Sequence, residues 1–249
     1  MPIVLVHGNP ETSAIWNDLR KHLERTDVIA LSPPGFGAPV SEGFTATSDA
    51  YMAWLALEVE KLDPPVDLVG HDWGGGHVAR LACSRPDLIR SWATDIAGCF
   101  DPDYAWHDLA QVWQTPGAGE AAVQQMAQIP AADRKARLVS LGMTPMAAES
   151  ASGAMNEEMG RCILALYRSA AQPAMAEWGK EFARGGRKRP ALAIIPSDDP
   201  YTGGPEMARR SAQRADAQIA VLDKLGHWWM CQDPKRGAAI LNEFYARLK

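Results

Sequence analysis

Along this chain, short apolar runs closed by Gly, Pro, Asn, Asp or Ser alternate with longer stretches in which apolar residues recur every three or four positions. The runs predict strands at 3–6, 27–31, 66–70, 91–96, 190–195 and 217–222; the longer stretches predict helices at 13–24, 47–62, 75–85, 205–214 and 234–248. Strands alternating with helices fold as a parallel sheet with right-handed crossovers, because each helix must carry the chain back across one face of the sheet. Between 100 and 185 the pattern changes. Ala, Met, Gln and Glu dominate, no clear strand emerges, and the stretch reads as a helical unit inserted after the strand at 91–96. The expected organisation is a core domain formed by 1–99 and 186–249, with a helical cap at 100–185. There is no internal repeat and no segment of disordered composition.

The most informative segment is Gly70-His71-Asp72-Trp73-Gly74, between an apolar strand and a helix. A small residue, any residue, a nucleophile, any residue and a small residue is the pattern of a tight strand-to-helix turn. Such a turn thrusts one side chain out of the top of a parallel sheet. The nucleophile position holds Asp72. A carboxylate there attacks a saturated carbon rather than an acyl carbon, which moves the expected chemistry from esters to epoxides or alkyl halides. Helix N-capping by Asp72 is the bland alternative.

Two distant segments support the catalytic reading. Ile3-Val4-Leu5-Val6 runs straight into His7-Gly8-Asn9-Pro10, and Leu225-Gly226-His227-Trp228-Trp229 follows the last strand. His227 stands where a general base belongs, after nucleophile and acid in chain order. The acid that orients it has three candidates. Asp199, in Ser197-Asp198-Asp199-Pro200 after the strand at 190–195, is preferred. Asp95, at the end of the preceding strand, also lies at a strand's C-terminal edge, and Asp198 is the third.

The motifs His7 to Pro10, Ser32-Pro33-Pro34-Gly35-Phe36-Gly37, Gly70 to Gly75 and Gly226 to Trp229 resemble, in order, those of the α/β-hydrolase superfamily. Within it they are similar to the branch with an Asp nucleophile, the epoxide hydrolases and haloalkane dehalogenases. The resemblance covers nearly the whole chain. It implies a mostly parallel sheet flanked by helices, with a cap inserted after 91–96 and N-terminal strands shortened relative to the family. It also implies an oxyanion hole formed by the backbone N–H groups of Asn9 and Trp73.

Composition narrows the setting. A chain of 249 residues fits one large α/β domain, and its net charge of −5 with no extended basic cluster argues against nucleic acid. The four cysteines lack metal-like spacing and read as reduced thiols. Without a signal peptide or membrane span in the sequence, a cytoplasmic protein is expected, with no membrane partner. No cofactor and no metal are expected. The expected partners are a small hydrophobic organic substrate and water, with a homodimer left open.

Leaving groups should decide the branch. Epoxide opening releases an alkoxide, which needs a proton donor; halide is a stable anion that needs only N–H donors. Tyr167-Arg168 resembles the late Tyr-Arg pair of epoxide-hydrolase caps, and Tyr167 can also be read as an aromatic on a buried helix face. The region from Tyr104 to Leu109 resembles the place of the first cap donor but lacks a plainly aligned Tyr, so His107 or Tyr104 is expected to substitute. Asn9 and Trp73 stand where a dehalogenase would hold halide. Trp73 also fills the place where fluoroacetate dehalogenase has Arg, so a small haloacid is not expected. The reading is a hydrolase that opens epoxides to diols through an alkyl ester on Asp72. Its site comprises His227, Asp199, Tyr167 and His107, with Tyr104, Trp106 and Trp113 lining the substrate pocket. Haloalkane dehalogenation is the alternative, and a non-catalytic binder of small hydrophobic ligands is the second.

Overall fold

Five apolar runs in this chain lead directly to residues that face one another across a single edge, and the sheet explains why. The computed structural model describes residues 1–248, and among these six strands form one parallel sheet. They are β1 (Ile3–Val6), β2 (Val28–Leu31), β3 (Val66–Gly70), β4 (Ile89–Thr94), β5 (Ala191–Pro196) and β6 (Gln218–Leu222), in the spatial order β2-β1-β3-β4-β5-β6. Because every neighbouring pair is parallel, all C-terminal strand ends lie on one side. Loops after β1, β3, β4, β5 and β6 therefore gather there.

Both faces of the sheet are buried, as runs without polar alternation require. Val4 and Val6 of β1 join one core with Leu55, Leu68, Val78, Leu81 and Trp92. Ile3 and Leu5 join the other with Trp16, Ile194, Trp229, Leu241 and Phe244. That split follows from the two-residue period of a strand. Asp67 sits inside β3 at zero exposure. Ser91 Oγ and Arg90 Nε donate to its Oδ1 at 2.5 and 2.8 Å, and Arg25 Nη1 donates to Oδ2 at 2.6 Å, so the buried carboxylate is fully met.

The core helices are α1 (Asn17–Arg20), α2 (Ser48–Glu60) and α3 (Trp73–Ser84). Between β4 and β5 come α4 (Asp108–Gln114), α5 (Ala118–Gln128), α6 (Ala131–Ser140), α7 (Pro145–Ala154), α8 (Glu157–Ser169) and α9 (Ala174–Gly185). The chain closes with α10 (Gly204–Arg214), α11 (Trp229–Gln232) and α12 (Pro234–Ala246). Side-chain caps start several of them: Thr47 accepts from Ala50 N, Thr144 from Ala147 N, Asn156 from Met159 N and Asp233 from Arg236 N. Two expectations change. The helix predicted over 13–24 is a 3-10 turn, Ser13–Trp16, followed by the single α-turn α1, because Trp16 and Leu19 are drawn into the core. The helix predicted from 75 begins at Trp73, directly after Asp72. α4 and α8 lie over the strand ends, packing Trp113, Ile163, Leu166 and Tyr167 against Trp73. α9 instead packs against α3 beside the sheet. Among the described residues no helix is long and apolar enough to cross a membrane.

Candidate active site

Asp72 occupies the turn between β3 and α3. Its φ of 51° and ψ of −128° lie where a non-glycine residue is strained by about 1–3 kcal/mol. Two close approaches make the turn possible. A Cβ on Gly70 would lie 2.4 Å from the Gly74 carbonyl oxygen, and one on Gly74 would lie 2.2 Å from the Val6 carbonyl oxygen. Asp72 holds the N-cap position of α3 but makes no side-chain cap hydrogen bond, so the capping role fails. Its Oδ1 instead accepts from Asn9 N–H at 3.0 Å, across from the loop after β1. A Cβ on Gly8 would stand 2.0 Å from that same oxygen, so the loop can approach the carboxylate only with glycine there.

The structure brings His227 and Asp199 together with Asp72. His227 Nδ1 is 2.9 Å from Asp199 Oδ2, and its Nε2 faces Asp72 Oδ2 at 3.8 Å. Asp199 Oδ1 accepts from Tyr201 N–H at 2.8 Å, which fixes the carboxylate's rotamer. Burial disfavours charge on Asp199, yet the His227 ring holds its carboxyl below the usual range. Burial likewise opposes a proton on His227, but Asp199 outweighs it and raises the imidazole, with His71 pulling the other way. The other two acid candidates are engaged elsewhere. Asp198 is exposed and accepts from Ser197 Oγ at 2.8 Å. Asp95 Oδ2 lies 2.5 Å from His71 Nδ1.

Of the expected cap residues, Tyr167 reaches the site. It is buried with its ring 5.2 Å from Trp73 and 4.7 Å from Trp113. Burial, and then the charge of Asp72, push its hydroxyl well above the ordinary range, while the nearby Trp73 and Asn9 side chains pull it the other way. The phenol therefore keeps its proton at neutral pH. His107 lines the site, but its Nδ1 accepts from Ala110 N–H at 3.2 Å and caps α4, leaving only Nε2 to act. Burial lowers its basicity, so it stays neutral. Tyr104 spends its hydroxyl on the Tyr201 carbonyl at 3.0 Å. Trp106 donates to the Ala170 carbonyl at 3.2 Å and stacks on Trp73 at 5.8 Å.

Two cavities meet at Asp72. The larger, about 350 Å³, opens beneath α5 and α6 and takes Trp113, Met126, Ile129 and Met155 into its apolar wall, with Asn9, His227 and Tyr167 at its base. The smaller, about 30 Å³, runs along Trp73 beside Tyr104, Trp106 and Trp178. Asn9 faces the larger one with its side-chain oxygen and nitrogen both buried and without a protein partner.

The sequence profile of the alpha/beta hydrolase family matches residues 3–240. The chain belongs to that family. The chain is similar to Lipase LipV of Mycobacterium tuberculosis (strain ATCC 25618 / H37Rv), with 33% identity over 88 residues, which are 35% of this chain and 33% of that protein. The chain thus matches about a third of that relative's length. Its fold is that of the haloalkane dehalogenase DatA from Agrobacterium tumefaciens C58, with a TM-score of 0.78 and 19% identity over 100% of this chain and 90% of that one. The haloalkane dehalogenase DbeA from Bradyrhizobium elkani USDA94 superposes with a TM-score of 0.71 and 20% identity over 98% and 90% of the two chains.

Three residues of the site escape a reading of the sequence: Glu11, His71 and Tyr201. Tyr201 follows Asp199, and its ring stands 5.0 Å from that of His227. Glu11 and His71 are fully buried, and His71 Nε2 lies 3.0 Å from Glu11 Oε1. Nothing in the local pattern pairs positions so far apart; only the adjacency of His71 to Asp72 hints at it. Glu11, His71 and His227 offer ligand atoms within 4.8 Å of one another, but those of Glu11 and His71 are already joined in this hydrogen bond.

Proposed function

We propose that this hydrolase releases halide from a small, largely apolar haloalkane through an alkyl ester on Asp72. The observation that carries the reading is the Asn9 amide, which is buried beside the nucleophile with neither polar atom partnered. An orphaned buried amide costs about 1–3 kcal/mol, which a ligand accepting from it would recover. In the first step an Asp72 oxygen bonds to the halogen-bearing carbon and the halide leaves with the electron pair. The Nδ2–H of Asn9 and the indole N–H of Trp73 receive it, and no proton need move. In the second, His227, steadied by Asp199, takes a proton from water, and the hydroxide attacks Asp72 Cγ. The oxyanion rests on the backbone N–H groups of Asn9 and Trp73. Collapse releases the alcohol and restores the carboxylate, with halide and one proton as the other products. The apolar wall of the larger cavity supports an alkyl substrate, and the solved haloalkane dehalogenases of like fold support the leaving group.

Epoxide opening is the second reading, because one observation favours it: Tyr167 lines the same cavity as Asp72 and its hydroxyl keeps its proton. Its expected partner is weaker, since Tyr104 is engaged and His107 is half committed to capping α4. The paired His227 and Asp199 support catalysis over mere ligand binding.

The branches separate in one experiment. Bromide release from 1-bromohexane and diol formation from styrene oxide are measured for the parent, Asn9→Ala and Tyr167→Phe. Bromide release should fall by about 10²–10³ in Asn9→Ala, the usual loss for one stabilising donor, and survive in Tyr167→Phe. A parent that makes diol but no bromide, and loses diol formation by about 10²–10⁴ in Tyr167→Phe, would reverse the choice.

A pH dependence follows from the nucleophile. Burial raises the Asp72 carboxyl to about 6, with His227 drawing it down against Glu11. Only the ionised form attacks, so single-turnover alkylation should level off above that value and fall tenfold per pH unit below it. An alkylation rate unchanged between about pH 7 and 4 would contradict this assignment of the nucleophile.

A further inference from the structure

Beneath the reacting groups lies a second polar cluster that the two chemical steps do not use. Glu11, His71 and Asp95 are each no more than 1% exposed. His71 Nε2 faces Glu11 Oε1 at 3.0 Å and its Nδ1 faces Asp95 Oδ2 at 2.5 Å. Carboxylates only accept, so both ring nitrogens must donate, and His71 is an imidazolium held between two anions. The outer contacts reach three loops. Glu11 accepts from Gly8 N–H at 3.1 Å, through Oε2, and from the Trp228 indole at 2.5 Å, through Oε1. Asp95 accepts from the Trp229 indole at 2.7 Å, through Oδ2, and from Asp72 N–H at 3.1 Å, through Oδ1.

These contacts fall at places that matter for geometry. Gly8 N–H is one residue from the Asn9 N–H that contacts Asp72. Asp72 N–H is one residue from the Trp73 N–H. Trp228 and Trp229 immediately follow His227. Around His71 stand the anions Glu11, Asp95 and Asp72, the His227 ring at 4.5 Å, and the edge of Trp16 at 6.3 Å. His7 also lies near enough to feel its charge. Every polar atom of the three residues is partnered. Two buried carboxylates alone would repel; with a cation between them the set closes on itself.

We propose that Glu11, His71 and Asp95 form a permanently charged positioning unit that holds the two oxyanion-hole N–H groups and the His227 loop in register for the water-attack step. The residues touch no reacting atom and act through the backbone they hold. The catalytic half of this inference rests on the hydrolytic reading above; the charged state of His71 does not.

The unit predicts an asymmetry between the two steps. Alkylation needs the Asp72 carboxylate and a leaving-group site, whereas hydrolysis of the ester needs both oxyanion donors and His227 aligned at once. Misplacement on the scale of an ångström costs about a hundredfold in such a step. In Glu11→Gln and Asp95→Asn, which keep shape and change charge, single-turnover ester hydrolysis should slow by about ten- to a hundredfold. Alkylation rate and KM should change by less than about threefold, since no new negative charge develops at those two N–H groups in that step. An equal decline in both steps, in proportion to lost folded protein, overturns the positioning role. The charge is read separately on the unmutated enzyme by ¹⁵N-edited proton NMR. Both ring protons of His71 should persist from pH 6 to 9 and vanish in His71→Gln. A His71 ring that loses a proton within that range overturns the charged unit even if the enzyme is active. A persistent imidazolium in a protein that turns over neither bromoalkane nor epoxide leaves the unit intact and sinks the proposed function instead.

Discussion

Incubated with 1-bromohexane, the His227→Gln variant is expected to become heavier by one hexyl group, carried on the peptide that contains Asp72. The first step needs only the carboxylate and the halide donors, so it survives the loss of the base. The second needs a group that takes a proton from water, and glutamine cannot. Steady-state turnover should fall by about 10⁴–10⁶, the range seen when a member of a tightly coupled catalytic set is removed. The position of His227 makes the separation clean, because its Nε2 is 3.8 Å from Asp72 Oδ2, near enough to serve a water that attacks the Asp72 ester carbon. The Asp72→Asn variant should take up no hexyl group under the same conditions. Unmodified His227→Gln protein, with a substrate that the parent turns over, would remove the ester intermediate and the mechanism with it.

Asp199→Asn should lower turnover by about 10⁴, because an amide that donates to His227 Nδ1 stabilises the wrong tautomer and leaves Nε2 carrying the proton. The contact at stake is the 2.9 Å approach of His227 Nδ1 to Asp199 Oδ2. Ester should accumulate in this variant as well, since the acid serves the same step as the base. Asp95→Asn should be milder, by two orders of magnitude or so, since Asp95 faces His71 and the elbow backbone rather than His227. Single-turnover rates of the two variants decide between them. A more severe loss in Asp95→Asn than in Asp199→Asn would mean that His227 turns to Asp95 during the reaction.

Much of this protein is legible in its residues because the governing interactions are local. Ile3 to Val6 and Ala191 to Pro196 read as buried strands, since four to six apolar residues in a row leave no polar face to put in water. Gly70 and Gly74 mark the elbow because no side chain fits where they stand. The order of Asp72, Asp199 and His227 along the chain follows the order in which a parallel sheet presents its C-terminal edges, so their meeting could be anticipated from sequence. Tertiary structure decided what depends on several segments at once. The stretch over 13–24 has helical spacing, yet burial of Trp16 among Leu19, Trp229 and Leu241 allows it barely two turns. His107 is a plausible proton donor by position, but α4 claims one of its nitrogens for a backbone N–H. Glu11, His71 and Asp95 carry no mutual signal in the sequence, for they are paired only by the neighbouring places of β1, β3 and β4 in the sheet. Burial then compels them to share charge, because a lone carboxylate or imidazolium in that interior would be too costly to ionise.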